Sequence, residues 1–406
     1  MRTLIPNELQ IEPETVCRET EKFIKDKVDE LHRDGVILGL SGGIDSSAIV
    51  AMMAKIMKPK DIRTYTIGFR ERGFDESRDA KLISDYFDTD HHVEIVEPGQ
   101  MLEVLEEVMA ILDEPFSDSS IMPTYLVSRF ARKYVKVVLG GDGGDELFLG
   151  YPTFKGHKYA WLYDNLPRIG KIAIKAVSKC LPSSTGYMNI QFLLNKILKG
   201  LDYSQEPIRY QVWLGVFSPK EQAAVLEHMH EQDIVVEQLY SEVMKNFENA
   251  PGEELLRKIS YIYIKTYLAG DILTKVDRAS MANSLEVRAP FLDPDLAEFA
   301  FSLPAKFKLR GLTTKYILRE ALHPYLPKFI FNKTKHGFAI PVAGWFRKEL
   351  KDALKDMLQP SKIKKQDIFN HKKVSEILDE HISGKRDRHR ELWSLFVFQK
   401  WYERWA

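Results

Sequence analysis

The chain has 406 residues, of which 44% are hydrophobic, 11% aromatic and 29% charged, which excludes a disordered or low-complexity protein and provides for a sizeable core. Its 58 Lys and Arg residues balance 58 Asp and Glu residues, so no global cationic field exists to hold nucleic acid by counterion release. Two cysteines, Cys17 and Cys180, with no CxxC pair, argue against zinc, iron–sulfur and disulfide scaffolds. The N-terminus lacks the pattern of a signal peptide, and no apolar run approaches the roughly 18 residues of a membrane span. These features predict a cytoplasmic protein with a small-molecule ligand and neither a nucleic-acid nor a membrane partner.

In chain order, residues 1–30 read as a lead-in. Residues 31–155 alternate β-rich runs (36–40, 62–69, 92–96 and 134–139) with helical patterns (46–57, 76–87, 101–112 and 123–133). That alternation is the mark of βαβ units and predicts a parallel sheet. From about residue 155 the strand pattern gives way to amphipathic segments, so residues 156–406 are expected to be mainly helical. Ser218-Pro-Lys-Glu221 has the form of a capping box with proline at the first helical position. The aromatic-rich run 392–405 predicts a helix packed on the globule rather than on a membrane, because basic residues do not dominate its polar face. The expected class is α/β: a parallel sheet with flanking helices, plus a mainly helical C-terminal half.

Ligands of such sheets bind beyond the carboxyl ends of the strands, so the residues that follow strands matter most. Gly39-Leu-Ser-Gly-Gly-Ile-Asp-Ser-Ser47 follows the first strand and opens a helix. Gly42 and Gly43 let backbone amides close on phosphate oxygens, the helix N-terminus adds positive potential, and Ser41, Ser46 and Ser47 offer hydroxyls. Asp45 would repel phosphates unless a magnesium ion lay between them, so the loop predicts a Mg-nucleotide. It lacks the lysine of a Walker A loop and resembles the SGGxDS pyrophosphate loop of the ATP pyrophosphatases. By itself it fits GMP synthetases, NAD synthetases, tRNA-modifying enzymes and asparagine synthetases alike.

A second glycine-rich acidic loop, Gly140-Gly-Asp-Gly-Gly-Asp-Glu146, follows the strand at 134–139. Asp142, Asp145 and Glu146 concentrate charge that calls for a cation, and Asp45 with Asp145 make a pair of oxygen ligands for one Mg²⁺. With this loop the chain resembles the synthetase domain of glutamine-dependent asparagine synthetase, in the ATP pyrophosphatase (PP-loop) superfamily. Matching stretches continue in order: Gly68-Phe69 with Asp75-Glu-Ser77, Asp113-Glu-Pro115, Asp271-Ile-Leu-Thr-Lys-Val-Asp-Arg-Ala-Ser-Met281, Leu285-Glu-Val-Arg-Ala-Pro-Phe-Leu-Asp293 and Lys315-Tyr-Ile-Leu-Arg-Glu320.

The resemblance implies an adenine nucleotide alpha hydrolase-like fold and a set of roles. Leu40 and Ile67 would hold adenine, and Ser41, Gly42, Gly43, Asp45 and Ser46 would cradle pyrophosphate. Gly141 would approach the nucleotide through its backbone, and Asp142 would lie near the amino acid or its acyl-adenylate. Lys335, in Lys333-Thr-Lys-His-Gly-Phe338, would contact the phosphates and support adenylation. Asp277, Arg278, Glu286 and Arg288 are read as ion pairs between helices, and His91 and His92 as locally hydrogen-bonded. Two positions depart from the family pattern: Gly140 stands where serine is usual, and Lys333 where arginine is.

The implied reaction is ATP-dependent: adenylation of the side-chain carboxylate of aspartate, then amide formation with ammonia, giving asparagine, AMP and pyrophosphate. The cofactor set is ATP with Mg²⁺. Arg2 stands where the family's glutaminase domain has its cysteine nucleophile, so the expectation is no N-terminal glutaminase domain, with free ammonia or a separate glutaminase subunit as nitrogen source. Open alternatives are a related adenylating enzyme of the β-lactam synthetase or peptide macrocyclase type acting on another carboxylate, a tRNA-modifying pyrophosphatase, and a non-catalytic nucleotide-binding subunit.

Overall fold

The computed structural model describes residues 37–71, 73–180, 190–333 and 340–406, with four isolated positions before residue 37. Most of the lead-in, including Cys17, therefore lies outside the described residues, as does Lys335. The chain forms two compact units. The first comprises Met1–Glu97, Ser120–Lys155 and Pro251–Ala339, and the second Pro98–Ser119, Gly156–Ala250 and Ile340–Ala406. Residues 251–339, read from the sequence with the helical half, thus cluster with the sheet.

The first unit is built on five parallel strands: β1 (Ile37–Gly39), β2 (Arg63–Phe69), β3 (Asp90–Val96), β4 (Val137–Leu139) and β5 (Glu286–Arg288), in the order β3-β2-β1-β4-β5. Four of them fall on the runs that the sequence marks. The fifth does not, and the reading that strands end near residue 155 is corrected by it. A three-residue Glu-Val-Arg strand has no apolar run or alternation to reveal it; pairing of Val137 with Glu286 and Leu139 with Arg288 makes it a strand. The inner strand β2 is buried from Thr64 to Phe69, the continuous burial of a strand covered on both faces.

This order contains a reversal. The chain runs outward from β1 to β2 to β3, then returns to place β4 on the other side of β1, and an open parallel sheet has its ligand crevice at such a switch point. Because Leu38 pairs with Leu139, the two strands end level and the loops after them start side by side. The helix Ile44–Ile56 buries Ala48 through Met53 against Ile62, Leu139, Phe148, Phe291 and Ile317, a core that anchors the loop at its start. A ten-residue π-helical stretch, Tyr263–Ile272, precedes the helix Leu273–Met281, which packs on the helix Ile121–Arg132.

The second unit is helical. The capping box is formed as expected: Ser218 N donates to Glu221 Oε2 at 2.9 Å, and the helix Pro219–Val225 begins there. The helix His389–Trp405 buries Leu392, Trp393, Leu395, Phe396 and Val397. Trp401 Nε1 donates to the Asp113 carbonyl at 3.1 Å and Lys400 pairs with Glu106 at 2.5 Å, so this helix packs within the globule. No helix among the described residues is long and apolar enough to cross a membrane.

Candidate functional site

The loop after β1 is held by its own side chains. Ser41 Oγ accepts from Gly43 N at 3.3 Å and lies 3.1 Å from Ser46 Oγ, which donates to the Gly43 carbonyl at 3.2 Å. Gly42 has φ +72°, and a Cβ on it would stand 2.7 Å from Asp79 Cβ, so both backbone angle and space require glycine. Gly43 caps the helix Ile44–Ile56 without a side chain, which leaves the first-turn amides for an anion.

The loop after β4 packs directly on it. A Cβ on Gly141 would come within 3.1 Å of Asp45 Cβ and Ser46 N, and one on Gly144 within 2.6 Å of Asp45 Oδ1. Gly140 N donates to the Arg288 carbonyl at 2.8 Å, so β5 holds the loop at its root. The closeness of the two loops is what brings their carboxylates together.

Asp45 and Asp145 converge on one cation. Lys315 Nζ contacts Asp45 Oδ2 and lies 2.6 Å from Asp145 Oδ1. Lys315 is 4% exposed and holds φ +53°, a left-handed conformation uncommon for a side chain of its size, at the N-cap of the helix Tyr316–Leu322. Its amide bonds the Phe148 carbonyl at 3.1 Å. Burial pulls its ammonium down, but Asp145 and Asp45 overcome this and hold it above the ordinary lysine value. Two carboxylates from separate loops meeting at one point fit a hard cation, and Mg²⁺ bound this way takes its remaining ligands from phosphate and water. Asp45 Oδ2 and Asp145 Oδ1 are the oxygens that would hold it.

The third acid of the run behaves differently. Glu146 is 2% exposed and accepts from Tyr151 OH at 2.5 Å, apart from the two carboxylates read as the cation's ligands. Asp142 is pushed up by burial; Lys275 opposes the shift, while Asp45 and Asp145 add to it. Lys275 is itself buried and donates to Ser120 Oγ at 2.8 Å. A Cβ at Gly140 would stand 2.6 Å from Asp142 Oδ2, so a side chain here would require the Asp142 carboxylate to shift.

Leu40 and Ile67 are 2% and 3% exposed. The Leu40 carbonyl accepts from Thr66 Oγ1 at 2.6 Å, joining β2 to the start of the loop. His91 Nδ1 bonds Thr64 Oγ1 at 2.8 Å, the local hydrogen bond read from the sequence, while His92 stacks on Tyr65 and lies 3.1 Å from Asp90; Arg288 pairs with Glu286 at 2.7 Å within β5 rather than between helices.

Several cations near the loops were not assigned a role from sequence. Lys315 and Arg319 lie in the matched Lys-Tyr-Ile-Leu-Arg-Glu stretch; Asp45 acts on the Arg319 guanidinium, and Arg319 in turn helps burial to pull Lys155 down. Lys333 pairs with Asp79 and donates to the Gly42 carbonyl at 3.4 Å, so the lysine in place of arginine sits against the loop. The available signal is the matched stretch itself, which marks these residues without naming the groups they meet.

A parallel sheet with SGGIDSS and GGDGGDE loops at its switch point defines an ATP-pyrophosphatase-like α/β protein. The asparagine synthase family model matches residues 24–403, and the chain belongs to that family. Asparagine synthetase [glutamine-hydrolyzing] 1 of Bacillus subtilis (strain 168) is 31% identical over 398 residues, 97% of this chain and 60% of the relative. A putative asparagine synthetase [glutamine-hydrolyzing] of Mycobacterium tuberculosis (strain ATCC 25618 / H37Rv) is 34% identical over 390 residues, 95% of this chain and 57% of the relative. Amidase chyE of Penicillium rubens is 24% identical over 362 residues, 76% of this chain and 50% of the relative. The chain thus spans three fifths or less of the length of these relatives.

Proposed function

We propose that this protein is the synthetase part of an AMP-forming carbon–nitrogen ligase, and that it joins ammonia to the side-chain carboxylate of aspartate. The observation that carries the reading is the meeting of Asp45 and Asp145, from two strand-end loops, at a single cationic point. Ser41, Gly42, Gly43 and Ser46 cradle the pyrophosphate portion of ATP, Leu40 and Ile67 border the adenine, and Gly141 approaches the nucleotide through its backbone. Asp45 and Asp145 hold Mg²⁺, which when bound screens the phosphate charge and supports departure of pyrophosphate. Lys335, with Lys315 and Arg319, supplies further positive charge where phosphate charge develops.

The aspartate carboxylate attacks the α-phosphorus, the bond to the β-phosphate bridging oxygen breaks, and pyrophosphate leaves with that electron pair. Ammonia then adds to the β-aspartyl carbonyl, a proton is lost, and AMP departs to leave asparagine. Asp142, whose carboxyl burial raises toward the neutral form, lies beside this pocket and orients the amino acid. The nitrogen comes as free ammonia or from a glutaminase, in keeping with the names of the relatives. The balanced charge supports a small-molecule substrate rather than a nucleic acid.

The test is product isolation from ATP, magnesium, aspartate and an ammonium salt: AMP and asparagine are expected in equal amounts, and ADP would overturn the reading. Replacing Lys335 or Asp45 by alanine is expected to lower AMP formation about 10²–10³-fold, as for other lost electrostatic donors. A second reading, the same adenylation with another carboxylate or amine, is favoured by Gly140, which changes the wall beside Asp142. Pyrophosphate exchange profiled across amino acids separates the two, since only the first responds to aspartate.

A further inference from the structure

We propose that a cavity within the helical second unit is a binding site for a small organic phosphate, formed by residues that the nucleotide loops do not share. The cavity has a volume of about 440 Å³ and is walled by the helices Arg168–Cys180 and Ile190–Leu201, by residues 215–218, and by the start of the C-terminal helix. That volume falls in the range of small-molecule sites and greatly exceeds a bare phosphate. Its apolar lining, Leu198, Val212 and Val216, offers a surface for an organic body.

The charge on the walls is incompletely matched. Lys175 pairs with Asp202, Lys199 with Glu221 at 2.7 Å, and Arg388 with Glu391 at 3.0 Å. Lys196 and Arg390 also line the cavity, yet among the described residues neither has a carboxylate within ion-pairing distance. Arg390 is held by its own donation to the Leu214 carbonyl at 3.0 Å, which fixes the guanidinium without neutralising it. Burial, together with the charges of Arg390 and Lys199, lowers the Lys196 ammonium to about 7. Among the described residues these two neighbouring cations have no ion-pairing carboxylate of their own, while Asp202, Glu221 and Glu391 on the same cavity wall pair with Lys175, Lys199 and Arg388, and an entering dianion relieves that imbalance. A lysine point charge beside an arginine fork suits a tetrahedral phosphoryl group, which presents several oxygens from one centre. A dicarboxylate, with its charges several bonds apart, matches adjacent cations less well.

The experiment is a titration of the intact protein with inorganic phosphate and with glycerol phosphate, followed by ³¹P line broadening and by the thermal midpoint. Lys196→Met and Arg390→Gln are each expected to weaken phosphate binding at least tenfold and to abolish the phosphate-dependent rise in midpoint. Ser41→Ala, a mild change at the other unit's first loop, is expected to leave this binding in place. Lys196→Met removes an uncompensated charge and keeps the aliphatic stem, so in phosphate-free buffer its midpoint is expected at or above the wild-type value; should it not fold, Arg390→Gln carries the same reading. Equal phosphate binding in Lys196→Met, Arg390→Gln and wild type overturns the proposal, as does loss of binding in Ser41→Ala alone. Tighter binding of succinate than of either phosphate overturns the ligand class.

Discussion

Lys315 is the residue on which the electrostatics of the first unit turn, because its ammonium lies between Asp45 and Asp145. Removing one partner of such a buried cluster leaves like charges facing each other, at a cost of about 3–5 kcal/mol. Lys315→Met is therefore expected to unfold well below the wild type, and millimolar Mg²⁺ should restore part of the loss by taking the ammonium's place. A midpoint that rises no more with Mg²⁺ in the variant than in the wild type would count against a shared cation site. Asp142 gives the opposite sign. Its folded-state carboxyl is raised, so ionisation penalises the fold above the unfolded carboxylate value and costs nothing below it. Asp142→Asn should stabilise the protein at pH 7, lose that gain as the solution is acidified toward pH 3, and slow AMP formation. Thermal melts across pH and a single-turnover assay would read the two effects separately.

At the scale of elements, the two loops work because glycines allow them to touch. A Cβ on Gly150 would stand 1.9 Å from Asp145 Oδ1 and 2.3 Å from Lys315 Cε, leaving no direction in which the side chain could shift without breaking the cluster. Gly150→Ala is expected to reduce AMP formation more than 100-fold while the circular dichroism stays helical, since the damage is confined to the site. In the second unit the C-terminal helix contributes a core: Phe396 is 0% exposed and packs on Phe346 at a ring distance of 5.8 Å. Phe396→Ala should cost about 3–5 kcal/mol in denaturant titration by the usual cavity penalty. A loss under 1 kcal/mol would show that this helix is peripheral to folding.

For the whole molecule, stability against pH reports a buried histidine that no catalytic reading requires. His381 bonds the Ala343 carbonyl through Nε2 at 3.2 Å and accepts from Arg388 N at Nδ1 at 3.1 Å, the pattern of a neutral ring protonated at Nε2. Burial and then the Arg347 charge lower it to about 4. The unfolded chain takes up this proton near the ordinary value of 6.5, before the folded one does. Stability is therefore complete above about 6.5 and falls as pH drops to about 4, by on the order of 3 kcal/mol. His381→Gln should flatten that part of the pH profile measured by denaturant unfolding; an unchanged slope would assign the acid sensitivity elsewhere.

How far the sequence carries can be read from single residues. Its βαβ rhythm and its two glycine–aspartate turns settled the sheet, the edge on which chemistry is expected and the family, because strand periodicity and turn chemistry are local properties of the chain. The sequence names Asp145 rather than Glu146 as a ligand, and one helical step turns the two about 100° apart, one to Lys315 and the other to Tyr151. The strand Glu286–Arg288 was hidden because its pairing with β4 comes from some 150 residues away in the chain, and its own three residues carry no pattern. Lys315 was equally hidden: its motif marks a helix, but only folding carries an ammonium 270 residues along the chain to Asp45. Local sequence determines which groups follow which strand, whereas the charge that balances them arrives from distant segments, and that meeting is decided by packing alone.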